Sequence, residues 1–447
     1  MDTGDTAWVL TSAALVLLMT PGLAFFYGGM VRSKSVLNMM MMSLGAMAVV
    51  GVLWVLYGYS TVFATDIGGG LLGKPFEFFG LDGLLAADSL SGTIPTTVFV
   101  SFQAVFAIIT VALISGAIAD RARFGPWLLF AGLWATIVYF PVAHWVFDFD
   151  GKDDAGNVID PGGWIANKLL AIDFAGGTAV HINAGAAALA LAIVLGKRVG
   201  WPKEPMKPHS LPLVVLGAGL LWFGWFGFNA GSALGANATA GVTFVNTIVA
   251  TCAALLGWLV VERIRDGKAT TLGAASGIVA GLVAITPACS SVTPIGAIAV
   301  GAIAGVLCAL AVSLKYRFGY DDSLDVVGVH LVGGLAGTIL IGLFASEAAP
   351  AKVNGLFYGG GFDQLWRQAV GAFAVLGYSF VLSLALGYLV KFTVGFRASE
   401  EAEVASIDEA EHAERAYEYG SLTSARGVGK PSVAAGATAV LEGSNKS

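Results

Sequence analysis

Two histidines lie inside long apolar segments, where an ionisable side chain is rare and most often serves a function. His181 falls within an apolar stretch at 172–195, and His330 falls within another at 327–345. An imidazole can donate and accept a proton, and desolvation in an apolar site favours its neutral form. Two neutral imidazoles along a narrow apolar path would therefore offer hydrogen bonds to a small polar molecule. The alternative is that each histidine only satisfies a buried backbone carbonyl.

The sequences around these two histidines are alike, which indicates an internal repeat. An aspartate precedes glycine and then histidine in both: Asp173, Gly176, Gly177 and His181 in one, and Asp325, Gly328 and His330 in the other. The two segments are five predicted spans apart, so the halves must cross the membrane in opposite directions, related by a pseudo-twofold axis in the membrane plane. At about 1.5 Å per residue, His181 would lie ~12 Å beyond Asp173, and His330 ~8 Å beyond Asp325. In a hydrocarbon core of ~30 Å, these two depths leave as much as ~10 Å between the histidines along the membrane normal. The spacing therefore favours a central pair but does not establish that the two side chains touch.

Asp173 and Asp325 stand at the predicted entrances to these spans. A carboxylate there can cap the helix by accepting free backbone N–H groups at the positive end of its dipole. For Asp325 we expect this role alone, whereas Asp173 faces the outer side and could also favour a cation at the entrance. A metal centre would need three or four converging ligands, and we predict none. No nucleophile–base, paired-aspartate or HExxH constellation indicates an enzyme.

The elements that position these residues are predicted to be membrane-spanning helices. The chain is 56% hydrophobic and 12% charged, against roughly 25% charge in a soluble domain. The first apolar run has no basic residues before it, so we interpret it as a span and not as a signal peptide. The sequence thus predicts an all-α polytopic membrane protein of about eleven transmembrane helices in a five-plus-five inverted repeat. The predicted spans are 8–30, 36–63, 94–118, 126–147, 172–195, 211–231, 241–261, 271–287, 295–314, 327–345 and 366–392.

The distribution of Lys and Arg orients these spans. Basic residues concentrate in one set of alternate loops, which the positive-inside rule places in the cytoplasm. The N-terminus is then outside and the C-terminus inside, as an odd number of spans requires. The other set of loops is acidic and holds few basic residues: Lys74, Lys152, Lys168, Lys352 and Arg367. A net charge of -6 suggests no nucleic-acid surface, and the three cysteines match no disulfide or metal spacing.

The composition changes abruptly after Arg397. We predict a transmembrane domain at 1–397, a cytoplasmic regulatory tail at 398–419, and a disordered tail at 420–447. The segment at 398–419 is rich in Glu, Asp and Ala. It would either pack beneath the bundle and couple subunits, or remain a solvated acidic helix.

Five long motifs, in order, resemble those of the ammonium transporter family over 8–419. The first two are Pro21-Gly22-Leu23-Ala24-Phe25-Phe26-Tyr27-Gly28-Gly29 and Phe102-Gln103-Ala104-Val105-Phe106. The next are Asp173-Phe174-Ala175-Gly176-Gly177-Thr178-Ala179-Val180-His181-Ile182-Asn183 and Trp225-Phe226-Gly227-Phe228-Asn229-Ala230-Gly231-Ser232. The last is Asp325-Val326-Val327-Gly328-Val329-His330. Several such runs in order make a chance match very improbable.

The resemblance implies a function and a role for individual positions. It implies a cell-membrane homotrimer with one ammonium pathway per subunit, no cofactor, and a PII-type regulatory partner at the cytoplasmic face. Ser232 and Phe147 would form the outer recruitment site, with Asp173 near the entrance. Phe106 and Phe228 would form a hydrophobic gate beneath it, and His181 and His330 would be the twin histidines of the pore. Without the resemblance, these three phenylalanines would be interpreted as ordinary core aromatics.

One position departs from the family pattern. In His144-Trp145-Val146-Phe147, family members usually have tryptophan where this sequence has Phe147. Because the face of Phe has a weaker quadrupole, we expect a smaller cation–π attraction for ammonium. Two alternatives to a transporter stay open: an ammonium sensor with little flux, and a neutral-gas channel on the same scaffold.

Overall fold

Long apolar helices make up most of the computed structural model, which describes residues 1–153, 155–204 and 206–417. Within those ranges, ten helices are long and apolar enough to span a membrane, and a shorter apolar helix, α8, lies at the position of the eighth predicted span. The predicted helical membrane fold is confirmed, and the predicted span ends lie within about five residues of the observed ones. The helices are α1 Thr3–Met30, α2 Val36–Phe63, α3 Thr96–Ile118, α4 Phe124–Phe147, α5 Gly177–Leu195, α6 Leu211–Gly231, α7 Ala238–Arg265, α8 Thr271–Ile285, α9 Pro294–Phe318, α10 Val327–Phe344 and α11 Asp363–Thr393.

The outer loops carry three short antiparallel strand pairs. The pairs are β1 Asp66–Ile67 with β2 Leu72–Gly73, β3 Leu90–Ser91 with β4 Ile94–Pro95, and β5 Gly151–Lys152 with β6 Val158–Asp160. Two short helices, α12 Glu400–Ala405 and α13 Ile407–His412, follow α11 on the opposite face. We call the face with the strands the outer face and the face with α12 and α13 the inner face.

Helices α5 and α10 begin in the same unusual way. Each opens with a π-helical turn that contains the histidine: Gly177–Ile182 holds His181, and Val327–Leu331 holds His330. A residue with positive φ stands before each turn, Gly176 in one case and Asp325 in the other. The two helices therefore enter the membrane from opposite faces with matching local geometry, as the inverted repeat requires.

The crossing of α5 and α10 depends on two glycines, each four residues after a histidine. A Cβ atom at Gly185 would lie 2.5 Å from the backbone nitrogen of Leu331. A Cβ atom at Gly334 would lie 3.1 Å from the Cβ atom of His181. Small residues of this kind let helix backbones approach where lipid gives no hydrophobic drive. Helix rise alone had left a possible gap between the two histidines. The close crossing of the helices closes this gap.

The prediction that Asp325 caps α10 is wrong. The carboxylate of Asp322, and not that of Asp325, accepts hydrogen bonds from the backbone N–H groups of Val326 and Val327, at 3.1 and 2.7 Å. Asp325 has a φ of 63°, and its carboxylate lies 2.7 Å from Nζ of Lys315 in an ion pair. The left-handed turn at Asp325 points its side chain towards α9, so the capping position falls three residues earlier.

Candidate functional site

His181 and His330 meet in the centre of the bundle. Their Nδ1 atoms are 3.2 Å apart, and their ring centroids are 5.3 Å apart with the planes 23° from parallel. Both side chains are buried, at 1% and 3% exposure. Because an Nδ1–Nδ1 hydrogen bond needs one donor and one acceptor, the two rings must be in different tautomers when both are neutral.

A small apolar cavity adjoins the histidine pair. Its volume is about 10 Å³, which is close to the space that one water-sized molecule needs. Nε2 of His181 is buried and has no hydrogen-bond partner among the described residues. It is therefore available to a molecule in the cavity. Apart from the two histidines, the walls are apolar or aromatic: Met19, Leu23, Phe26, Ile109, Leu113, Val180, Leu221, Trp225, Phe228 and Val279.

Trp225 fixes the orientation of one imidazole. Its ring stacks on His181 with centroids 5.4 Å apart and planes 18° from parallel. The indole N–H donates to the hydroxyl of Thr286 at 2.8 Å, so its polar atom is already satisfied. Trp225 can thus present an apolar face beside His181 without an unpaired polar group. From the sequence, Trp225 could be recognised only as part of a motif, without a role of its own.

Phe106 and Phe228 form a stacked pair on the outer side of the cavity. Their centroids are 4.2 Å apart with planes 30° from parallel, and the exposure of each is 2% or less. The ring of Phe228 is 6.2 Å from that of His181. Phe228 lines the inner cavity, whereas Phe106 lines a wider space on the outer side. The pair therefore separates the two spaces.

The wider space, which we call the vestibule, has a volume of about 300 Å³. Ser232 and Phe147 both line it, and the ring of Phe147 is 6.4 Å from that of Phe106. The hydroxyl of Ser232 donates to the backbone carbonyl of Phe228 at 2.8 Å. Because its hydrogen is used in this way, its oxygen lone pairs are left to accept a hydrogen bond from a cation. The other lining residues are Tyr59, Phe63, Ser91, Phe99, Phe102, Gln103, Phe106, Asp148, Phe149, Phe174 and Leu234.

Asp173 caps the start of α5. Its two carboxylate oxygens accept from the backbone N–H groups of four successive residues, Gly176, Gly177, Thr178 and Ala179, at 2.7 to 3.1 Å. The side chain is buried at 8% exposure, and it does not border the vestibule. A carboxylate held by several N–H groups at the positive end of a helix fixes the position of the turn that carries His181.

The acidic tail docks on the inner face. Asp408 accepts from the backbone N–H groups of Leu37 and Asn38 at 3.1 and 2.8 Å, and its side chain is 1% exposed. Glu403 accepts from the N–H of Val199 at 2.6 Å and from Arg397 at 2.8 Å. These contacts join the tail to the start of α2 and to the loop that follows α5. The predicted disordered tail at 420–447, and the end of the predicted regulatory tail, lie outside the described residues.

Comparison with known proteins identifies the relatives of this architecture. A family model described as the Ammonium Transporter Family matches residues 7–417. A protein of Mycobacterium tuberculosis named as an ammonium transporter is 67% identical over 439 residues, which cover 94% of this chain and 91% of that protein. The crystal structure of Saccharomyces cerevisiae Mep2 matches with a TM-score of 0.80 at 36% identity, covering 90% of this chain and 88% of that one. A structure described as a sensor Amt protein matches with a TM-score of 0.82 at 31% identity, covering 92% and 98%.

Proposed function

Because this chain belongs to the ammonium transporter family, we propose that it gathers ammonium in the vestibule and passes ammonia between His181 and His330. The family consists of transporters and not of enzymes, and the long apolar helices make this member a multi-pass membrane protein. The observation that carries the proposal is the alignment of three features in order: the vestibule, the stacked Phe106–Phe228 pair, and the histidine-lined cavity.

Recruitment takes place in the vestibule. Ammonium donates a hydrogen bond to the free lone pairs of Ser232, and the aromatic face of Phe147 adds a cation–π attraction of about 0.5–1 kcal/mol. Potassium and sodium carry the same charge but have no hydrogen to donate. The negative charge of Asp173 adds a favourable potential from behind the start of α5, although its oxygens are already used by backbone N–H groups.

Deprotonation takes place before the gate is crossed, and the released proton crosses separately through the contact between the two imidazoles, so that the passage of neutral ammonia is still accompanied by net charge movement. A bare cation in a nearly dry cavity of about 10 Å³ would lose most of its hydration without a counter-charge, at a cost of several kcal/mol. Neutral ammonia avoids that cost and can exchange hydrogen bonds with the two imidazoles. Phe106 and Phe228 must part briefly for it to pass, since their rings are stacked at 4.2 Å between centroids.

The test is an electrical measurement on purified protein in liposomes. We expect a saturating, ammonium-triggered current on a supported membrane, and no current from the His181→Ala/His330→Ala double variant. Internal alkalinisation without current would indicate a neutral ammonia channel. It would contradict the proposal that the charge of the recruited cation crosses the membrane.

A sensor is the second candidate, and one observation favours it. The sensor Amt protein shares this fold over nearly its whole length, and the tail of this chain contacts the start of α2 and the loop after α5 at the inner face. A protein that binds ammonium but produces neither current nor alkalinisation would be a sensor.

We place the protein in the cell membrane as a homotrimer with one pathway per subunit. The docked tail would give a PII-type regulatory protein a surface to bind at the inner face. Family membership supports these proposals, and the length of the apolar helices fits a membrane location.

A further inference from the structure

The vestibule contains an acidic residue with no role in the function proposed above. Asp148 immediately follows α4 and Phe147, and among the described residues that line the vestibule it is the only carboxylate. Its side chain is 14% exposed. The backbone carbonyl of Asp148 accepts from Gly163 N–H and from the side-chain amide of Asn167, both at 2.8 Å. These contacts hold the residue in place at the edge of the vestibule.

The nearest basic group does not neutralise Asp148. His144 is fully buried, and its Nδ1 lies 2.7 Å from the carbonyl oxygen of Val62 but 3.4 Å from a carboxylate oxygen of Asp148. Because a carbonyl only accepts, Nδ1 carries a hydrogen that belongs mainly to Val62. Nε2 lies 3.1 Å from a carboxylate oxygen of Asp66.

One proton is therefore held between His144 and Asp66. Two acceptors, Nε2 and a carboxylate, cannot lie at hydrogen-bond distance unless one of them is protonated. Whether the hydrogen is on the imidazole or on the carboxyl, the pair has no net charge. Among the described residues, no Lys or Arg forms an ion pair with Asp148, so its charge is left for a cation from solution.

We propose that Asp148 is a cation-binding residue of the vestibule, and that its carboxylate supplies attraction that the face of Phe147 provides only weakly. The inference rests on the proposed function and deepens it, because it names a further residue of the same recruitment site. Ser232 accepts hydrogen bonds, Phe147 gives an aromatic face, and Asp148, once ionised, adds a full negative charge to a partly dehydrated space. A full charge is a stronger attraction than a quadrupole at equal distance.

Binding at Asp148 is expected to compete with protonation. Burial, together with the nearby Asp160 and Asp66, raises the pKa of Asp148 to about 8. The titratable groups that face it are His144 on its own helix, Asp66 and Asp160 on the outer strands, and Tyr59 on α2. Below that pKa the carboxyl is neutral in the empty vestibule, and an arriving cation must displace its proton. Affinity for the cation should therefore rise with pH and level off above the pKa.

The experiment measures the half-saturating methylammonium concentration from currents at equal pH on both sides, from about pH 6 to about pH 8.5, where this cation stays protonated. In the unaltered protein we expect this concentration to fall at least fivefold across the range. In the Asp148→Asn variant, the half-saturating concentration should stay at every pH at the value that the unaltered protein shows at the acid end of the range. Asp150→Asn, two residues away and outside the vestibule lining, should follow the unaltered protein.

An Asp148→Asn profile that follows the unaltered protein would overturn the inference and leave the proposed function intact. Absence of any ammonium or methylammonium current in the unaltered protein would instead contradict the proposed function. If Asp148→Asn does not fold, Asp148→Glu takes its place, because a carboxylate one methylene longer should move the midpoint of the pH profile. An unmoved midpoint in that variant would also overturn the inference.

Discussion

The Nδ1 atoms of His181 and His330 lie 3.2 Å apart, so one imidazole donates a hydrogen to the other. When both rings are neutral, the donor has a bare Nε2 and the acceptor carries its hydrogen on Nε2. The pair thereby presents one acceptor and one donor to a molecule passing beside it. Ammonia, which both accepts and donates hydrogen bonds, matches this arrangement better than a metal cation does.

Replacing His181 by Ala should abolish ammonium current or remove its selectivity over potassium. The change removes a hydrogen-bonding group from the cavity, leaves His330 without its partner, and widens the space beside Trp225. The measurement compares ammonium and potassium currents in liposomes. His209→Ala, at the inner face where that histidine contacts the carbonyl of Val31, should leave selectivity unchanged. Normal ammonium uptake by a well-folded His181→Ala protein would contradict the role.

Replacing Phe228 by Ala should let ions through. The stacked pair is the barrier between the vestibule and the inner cavity, and truncation would join the two spaces. We expect a potassium current at least severalfold above that of the unaltered protein, with a stability loss of about 3–5 kcal/mol.

Phe226→Ala is the matched control for the gate. Phe226 also stacks on another phenylalanine, Phe244, at 4.0 Å between centroids, but it does not line either cavity. A potassium leak of equal size in both variants would show that the effect is one of stability and not of gating.

Replacing Phe147 by Trp should strengthen recruitment. The larger quadrupole of indole would add roughly 0.5–1 kcal/mol of cation–π attraction, which lowers the half-saturating ammonium concentration about two- to fivefold. The vestibule, at about 300 Å³, has room for the bigger ring. Concentration dependence of the current measures the change, and an unaltered or weaker apparent affinity would count against a cation at this position.

Replacing Asp173 by Asn should destabilise the start of α5 and reduce transport. One amide oxygen cannot serve the four N–H groups that the carboxylate now accepts, and each unmet buried donor costs about 1–3 kcal/mol. Thermal melting in detergent should show a clearly lower midpoint. Asp153→Asn is the control, because Asp153 accepts from backbone N–H groups in an exposed outer loop; equal melting shifts in the two variants would disprove the argument.

Removing residues 398–447 should change activity or its regulation, whereas removing only 418–447 should not. The longer deletion takes away Glu403 and Asp408, which hold the loop after α5 and the start of α2. The shorter one leaves these contacts in place. Currents from the two truncated proteins decide the matter, and full regulated activity after the longer deletion would show that the tail is only a solvated segment.

The sequence was a good guide wherever a single segment determines its own structure. Apolar runs located the helices, because a backbone in lipid must satisfy its hydrogen bonds within the segment. The loop charges oriented them. Asp173 could be expected to cap α5 for the same local reason, since cap and helix are adjacent in sequence.

Contacts between distant segments were harder to foresee. The separation of His181 and His330 depends on how closely α5 and α10 cross at Gly185 and Gly334, which helix rise alone cannot give. Asp325 was predicted to cap α10, but Asp322 is the residue that does so. No sequence pattern signals the left-handed turn at Asp325 that causes this difference. Asp148 falls in an outer loop that was predicted only to be acidic; its place beside Phe147 in the sequence was the one available signal.

The small volume of the cavity beside the histidines has a consequence for transport in both directions. A cavity that holds one molecule at a time cannot let an inbound and an outbound molecule pass each other. Ammonia on the far side must then occupy the cavity in competition with entry from the near side. Unidirectional tracer flux into vesicles should fall when unlabelled ammonia is loaded inside, even where the net gradient still favours uptake. The narrowness that we propose excludes ions would thus also limit the pathway to one molecule at a time.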